Sequence, residues 1–147
     1  MSDPSTPAPS APLTAQQLQT ALGRSPFIGF LGLEVISADP AKQEVAMRLA
    51  MRPEFERGAG TRQWHGGPIA GVIDTVGDFA LVMILGRVVP TINFRVDYLR
   101  PAFDTGLTAV ARVRRSGKSV GVVDVDVLDD KHNLVAIGRA TYSTLPP

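Results

Sequence analysis

The chain has no cysteine among its 147 residues, which excludes disulfides, thiolate metal sites and a cysteine nucleophile together. Histidine is nearly as scarce: two residues, His65 and His132, offer little from which to build a histidine-rich metal centre. Neither sign of charge prevails, with 15 Lys and Arg against 14 Asp and Glu for a net charge of +1. That balance gives no broad basic footprint of the kind nucleic acid demands. The N-terminus lacks both the charged lead and the apolar core of a signal peptide. The expectations are a cytoplasmic protein with no metal, no redox cofactor and no nucleic-acid partner.

What the chain does have is one long apolar stretch, WHGGPIAGVIDTVGDFALVMIL, from Trp64 to Leu85. Gly66 and Gly67 loosen the backbone, Pro68 suits a first helical position, and apolar residues recur to Leu85, so the spacing predicts one buried helix roughly 27 Å long. On a helical wheel Ile69, Val72, Ile73, Val76, Phe79, Ala80, Met83 and Ile84 form the core side. Gly67, Ala70, Gly71, Asp74, Gly77, Asp78 and Leu81 lie within about 60° of Asp74. A carboxylate on a stripe of very small residues predicts the close approach of a ligand or of another backbone. Each helical glycine costs roughly 1 kcal/mol relative to alanine, so Gly71 and Gly77 need a reason. A membrane-spanning reading fails, because Asp74 and Asp78 would each cost roughly 2.5 to 3.5 kcal/mol at the bilayer centre.

With 44% hydrophobic residues, the chain is sized and composed as one globular domain. Residues 1–13, rich in Pro, Ser and Ala, are expected to be a disordered lead-in to a domain spanning 14–147. Thr14 is the expected cap of a short helix ending near Leu22, and Phe27 to Leu31 reads as an irregular apolar plug over one end of the core that could equally line a substrate pocket. Leu33–Ala38 and Glu44–Ala50 alternate as a strand pair about an Asp39-Pro40 turn. A polar loop from Arg52 to Gln63 leads into the helix. After Leu85 come four strand candidates: Thr91–Leu99, Leu107–Arg114, Ser119–Leu128 and Leu134–Ser143. Their short connections predict an antiparallel sheet. The fold class is α+β, a curved sheet of about six strands wrapped around one central helix.

His65-Gly66-Gly67, Asp74 nine positions after the histidine, VDYLRPA from Val96 to Ala102, and the Arg115-Ser116-Gly117-Lys118 turn together resemble the hotdog-fold thioesterases, in particular the PaaI-like subfamily of phenylacetyl-CoA thioesterases. The similarity runs from about Phe27 to Thr144. It implies a hotdog fold, an acyl-CoA substrate and a homo-oligomer, dimer or homotetramer, with active sites between subunits.

By that resemblance Asp74 is the catalytic carboxylate, either general base on water or nucleophile. Gly67 supplies the backbone N–H that polarises the thioester carbonyl, and Gly66 beside it is expected to bind substrate. His65 stands next to this site, though it is also suited to capping the helix. Thr91 matches a hydroxyl position that holds water. Arg115, Gly117, Lys118 and Arg100 are expected to bind the CoA moiety, with Arg62 a looser candidate. Relatives often carry Asn shortly before HGG, whereas this chain has GAGTRQW from Gly58 to Trp64, with Gln63 the nearest amide. The alternative is a non-catalytic acyl-CoA binding protein, which would need the glycine and the basic turn but no carboxylate.

Overall fold

The computed structural model describes residues 10–147. In chain order they form α1 (Ala15–Leu22), α2 (Pro26–Leu31), β1 (Glu34–Asp39), β2 (Glu44–Leu49), a 3-10 turn (Pro53–Phe55), α3 (Gly66–Leu85), β3 (Thr91–Tyr98), β4 (Leu107–Ser116), β5 (Val120–Asp129) and β6 (Leu134–Ser143). The six strands make one antiparallel sheet in the order β1-β2-β4-β5-β6-β3. The expected sheet around a central helix is therefore what forms.

The sheet closes on α3 because its strands alternate. On β5, Val123, Val125 and Val127 are buried while Asp124 and Asp126 face outward. On β4, small Ala109 and Ala111 bring the helix close. Val72, Ile73, Val76, Phe79, Ala80 and Met83 of α3 fill the concave face, each larger side chain stabilising by about 1.5–3 kcal/mol. The helix is long and apolar enough to cross a membrane, but here 61% of its most apolar window is buried within the protein.

The structure departs from the sequence expectation in two places. The stripe around Asp74 is not open throughout: Gly77 and Leu81 are buried, because the sheet curls around more than half of the helix. The space left by Gly77 is taken by the Tyr142 hydroxyl of β6, which a Cβ there would strike. The Phe27 to Leu31 segment is a helix rather than an irregular plug. Ser25 caps it by accepting from Ile28 N at 3.3 Å, Pro26 starts it, and Gly32 ends it at φ 71°. Its Phe27 and Phe30 rings are exposed and only Leu31 is fully buried.

Thr14 caps α1 as expected, exchanging hydrogen bonds with Gln17 in a capping box. Most of the expected disordered lead-in, residues 1–9, lies outside the described residues. At its other end Leu13 donates its N–H to Met83 O at 2.8 Å and packs on the core.

Candidate active site

The mouth of α3 is built on a stack of rings. Phe55, buried in the loop after β2, stacks on Trp64 at 5.6 Å. Trp64 is fixed by Nε1 donating to Thr105 O at 2.9 Å and by its N–H donating to Ala102 O at 3.0 Å. The His65 N–H donates to Phe55 O at 2.8 Å. These bonds set the direction in which the helix begins.

His65 is the N-cap of α3, its Nδ1 accepting from Gly67 N at 2.8 Å. An accepting Nδ1 places the neutral ring's proton on Nε2, which faces away as a donor. The Gly67 N–H, expected to polarise a substrate carbonyl, is thus already engaged. Pro68 has no N–H. Ahead of Pro68, the Gly66 N–H meets no acceptor among the described residues. Tyr98 of β3 lies over Gly66 and donates its hydroxyl to Gly66 O at 2.7 Å. A cavity of about 480 Å³ opens here, lined by Gln63, Trp64, Gly66, Ile69, Tyr98 and Arg100 among others.

Two turns further along, Asp74 is half-buried and its Oδ1 accepts from Thr91 Oγ1 at 2.8 Å. Tyr142 donates its hydroxyl to the Asp74 main-chain oxygen at 2.7 Å. The structure thus brings Asp74 and Thr91 together. Asp78 follows one turn later. Burial pushes its carboxyl up to about 7, opposed by the hydrogen bond from the Val89 N–H and reinforced by the Asp74 charge. Burial, then the Asp74 and Asp78 charges, push the Tyr142 phenol up as well, so it stays a donor.

The expected CoA-binding groups divide between two places. Arg100 lines the cavity at the helix mouth. The turn with Arg115, Gly117 and Lys118 lies at the opposite end of the sheet, where Val120 pairs with Ser143 and Thr91 with Tyr142. Gly117 is held there, its N–H donating to Val120 O and its carbonyl accepting from Thr144 Oγ1 at 2.6 Å. Since β3 has eight residues, these ends are roughly 25 Å apart. One chain does not bring them together. Arg62 is paired with Asp104, and His132 occupies the β5–β6 turn. Among the described residues no group of three or more His, Asp or Glu is placed to hold a metal ion.

Sequence reasoning missed Tyr98 and Tyr142 as neighbours of the site, whereas Phe27 lies in the stretch expected to plug the core or line a substrate pocket. Tyr98 falls within VDYLRPA, but nothing in the spacing marks Tyr142 as the residue entering the gap at Gly77. Phe27 of α2 lies over Gly71, where a Cβ would come within 3.2 Å of its ring. The glycine stripe is therefore filled in part by this chain's own aromatic residues.

The model of the thioesterase superfamily matches residues 63–136, from the helix mouth through β3, β4 and β5 to the start of β6. The acyl-coenzyme A thioesterase PaaI of Escherichia coli is 32% identical over 111 residues, 74% of this chain and 75% of that protein. The solved structure of the E. coli PaaI protein superposes with a TM-score of 0.77 at 26% identity, covering 90% of this chain and 94% of that one. The medium/long-chain acyl-CoA thioesterase YigI of Salmonella typhimurium is 30% identical, covering 90% of this chain and 97% of that protein. A crystal structure of another thioesterase superfamily protein gives a TM-score of 0.82 at 35% identity, covering 88% of this chain and 96% of that one. By sequence and by fold, this chain belongs to the thioesterase superfamily.

Proposed function

We propose that the protein hydrolyses acyl-CoA thioesters with Asp74 as general base, in a site shared between two copies of the chain. The observation that carries this reading is the Thr91 hydroxyl on Asp74 Oδ1 at 2.8 Å. It orients the carboxylate while leaving Oδ2 free to take a proton from water. The resulting hydroxide adds to the thioester carbonyl, whose oxygen gains a negative charge. The Gly66 N–H, backed by the helix dipole, is the donor suited to that charge, with the His65 Nε2–H beside it. Gly67 holds His65 in place through its own N–H. Collapse of the intermediate breaks the C–S bond, and the thiolate recovers the proton held by Asp74.

A single chain cannot assemble these parts. Gly66 and Asp74 are eight residues apart on one helix, about 12 Å along its axis. Two α3 helices related by a two-fold axis would bring the Gly66 of one against the Asp74 of the other. The exposed edge of β3, with Ile92 and Phe94 uncovered, suits such pairing. The same symmetry would bring Arg100 of one chain toward Arg115 and Lys118 of the other, for the phosphates of CoA.

The test is thiol release over a panel of short, long and aromatic acyl-CoAs. Wild type is expected to release thiol from some of them, and Asp74→Ala is expected to abolish release with its assembly intact. Unchanged turnover in that variant removes Asp74 from the mechanism. Calorimetric binding without any thiol release assigns the protein to passive acyl-CoA binding instead.

A further inference from the structure

A second cavity, of about 290 Å³, lies beyond Asp74 between the N-terminal helices and the far half of α3. Leu13, Ile28, Phe79, Val82 and Val88 make its wall mostly apolar, and Asp78 stands in that wall. Asp78 is one turn after Asp74 on the same side of the helix, about 6 Å further from the mouth. The two carboxyls are close enough for the Asp74 charge to act on Asp78. α2 connects the two places: its Phe27 lies over Gly71 and its Ile28 lines the cavity.

We propose that this cavity receives the far end of the acyl group, and that Asp78 makes it select an end that donates a hydrogen bond over bare alkyl of equal length. The assignment rests on the proposed site at Asp74. Asp78 Oδ1 has only a long bond, 3.4 Å, from Val89 N. The carboxyl therefore has accepting capacity left, and filling the cavity with alkyl would strip it of water without return. With its pKa near 7, the group accepts in either protonation state, and in its neutral form also donates. The charged or titratable groups around it are Asp74 on α3, Tyr142 on β6, Arg24 and Arg87. Arg24 is exposed, and Arg87 is spent on the carbonyls of Thr144 and Leu145. Among the described residues Asp74 is the charge that perturbs Asp78, so neither arginine neutralises it.

The experiment measures binding of S-alkyl-CoA thioethers of equal length ending in methyl, hydroxyl or carboxylate, which read the cavity without hydrolysis. Wild type is expected to bind the hydroxyl end about five- to tenfold tighter than the methyl end, with the carboxylate end weakest. Asp78→Asn, still an acceptor, should keep the preference for hydroxyl, and Asp78→Ala should lose it. Equal binding of the three ends, a preference for carboxylate, an unchanged preference in Asp78→Ala, or no binding at all would each overturn the assignment. Thiol release from the matching thioesters is scored separately. Discrimination without release rejects hydrolysis while leaving the cavity assignment in place.

Discussion

The Tyr142 hydroxyl reaches the Asp74 main-chain oxygen at 2.7 Å by passing through the space that Gly77 leaves empty. A glycine in mid-helix and a tyrosine on β6 are thus one device, which ties the segment bearing Asp74 to the sheet. Gly77→Ala gains about 1 kcal/mol of helix propensity, but overpacking against the phenol costs about 1–3 kcal/mol. Net destabilisation is expected in chemical denaturation. Tyr142→Phe alone should cost about 1 kcal/mol. In the Tyr142→Phe background, Gly77→Ala should become neutral or stabilising, because the colliding oxygen is gone. A double-mutant cycle that shows no such coupling would separate the two residues.

Thr91 is expected to act through Asp74. Thr91→Val removes the hydroxyl that orients Oδ1 and keeps the shape of the side chain. kcat should fall about tenfold with KM nearly unchanged, since the lost bond is worth roughly 1–1.5 kcal/mol. Thr91→Ser should restore most of the rate. A KM rise with kcat intact would place Thr91 in substrate binding instead.

The main elements were legible because each carries a local period or a local cap. β5 alternates valine with aspartate, α3 repeats its apolar residues at helical spacing, and Thr14 with Gln17 announces α1. What was not legible depends on distant packing. In sequence the α2 segment reads as irregular because Gly29 and Gly32 look like breakers, whereas Ser25, Pro26 and the left-handed Gly32 delimit one short helix. Helical angle alone places Gly77 and Leu81 with Asp74, and only the curl of the sheet buries them. That the Gly67 N–H is engaged while the Gly66 N–H meets no acceptor follows from the His65 ring turning its Nδ1 onto Gly67, a rotamer choice that spacing cannot reveal. Asp74 and Thr91, seventeen positions apart in sequence, meet only because β3 returns along α3 at the sheet edge.

Asp78 should make stability fall as pH rises. Its carboxyl has the ordinary aspartate value of 3.8 when solvated and about 7 when folded, so the folded state holds its proton more tightly. Its contribution is complete below about 4, is lost progressively as pH rises to about 7, and is flat above. The difference is at most about 4 kcal/mol at 1.36 kcal/mol per pH unit. Asp78→Asn, which keeps an oxygen for the Val89 N–H, should remove this slope and be more stable than wild type at pH 8. Asp124, Asp129 and Asp130 have lowered pKa values and act in the opposite sense, losing stability as pH falls. The quantity to compare is therefore the variant minus wild type, from denaturation midpoints across pH 4 to 9.

The shared site can be tested by complementation. Gly66→Pro deletes the N–H proposed to stabilise the oxyanion while keeping a residue favoured at a helix start. His65, at φ −73° and ψ 145°, already has the extended backbone that a following proline requires. The Tyr98 ring must yield a few tenths of an ångström, so retention of the fold is checked by circular dichroism. kcat should drop about 10²–10³-fold. Asp74→Ala should be inactive by itself. In a dimer of one Gly66→Pro chain and one Asp74→Ala chain, one site combines both lesions and the other combines the intact Gly66 of one chain with the intact Asp74 of the other. Co-expressed and purified as a heterodimer, the pair should recover about half of the wild-type rate per dimer, because one of its two sites is whole. If each site were built within one chain, every site in the heterodimer would carry a lesion and no activity would return.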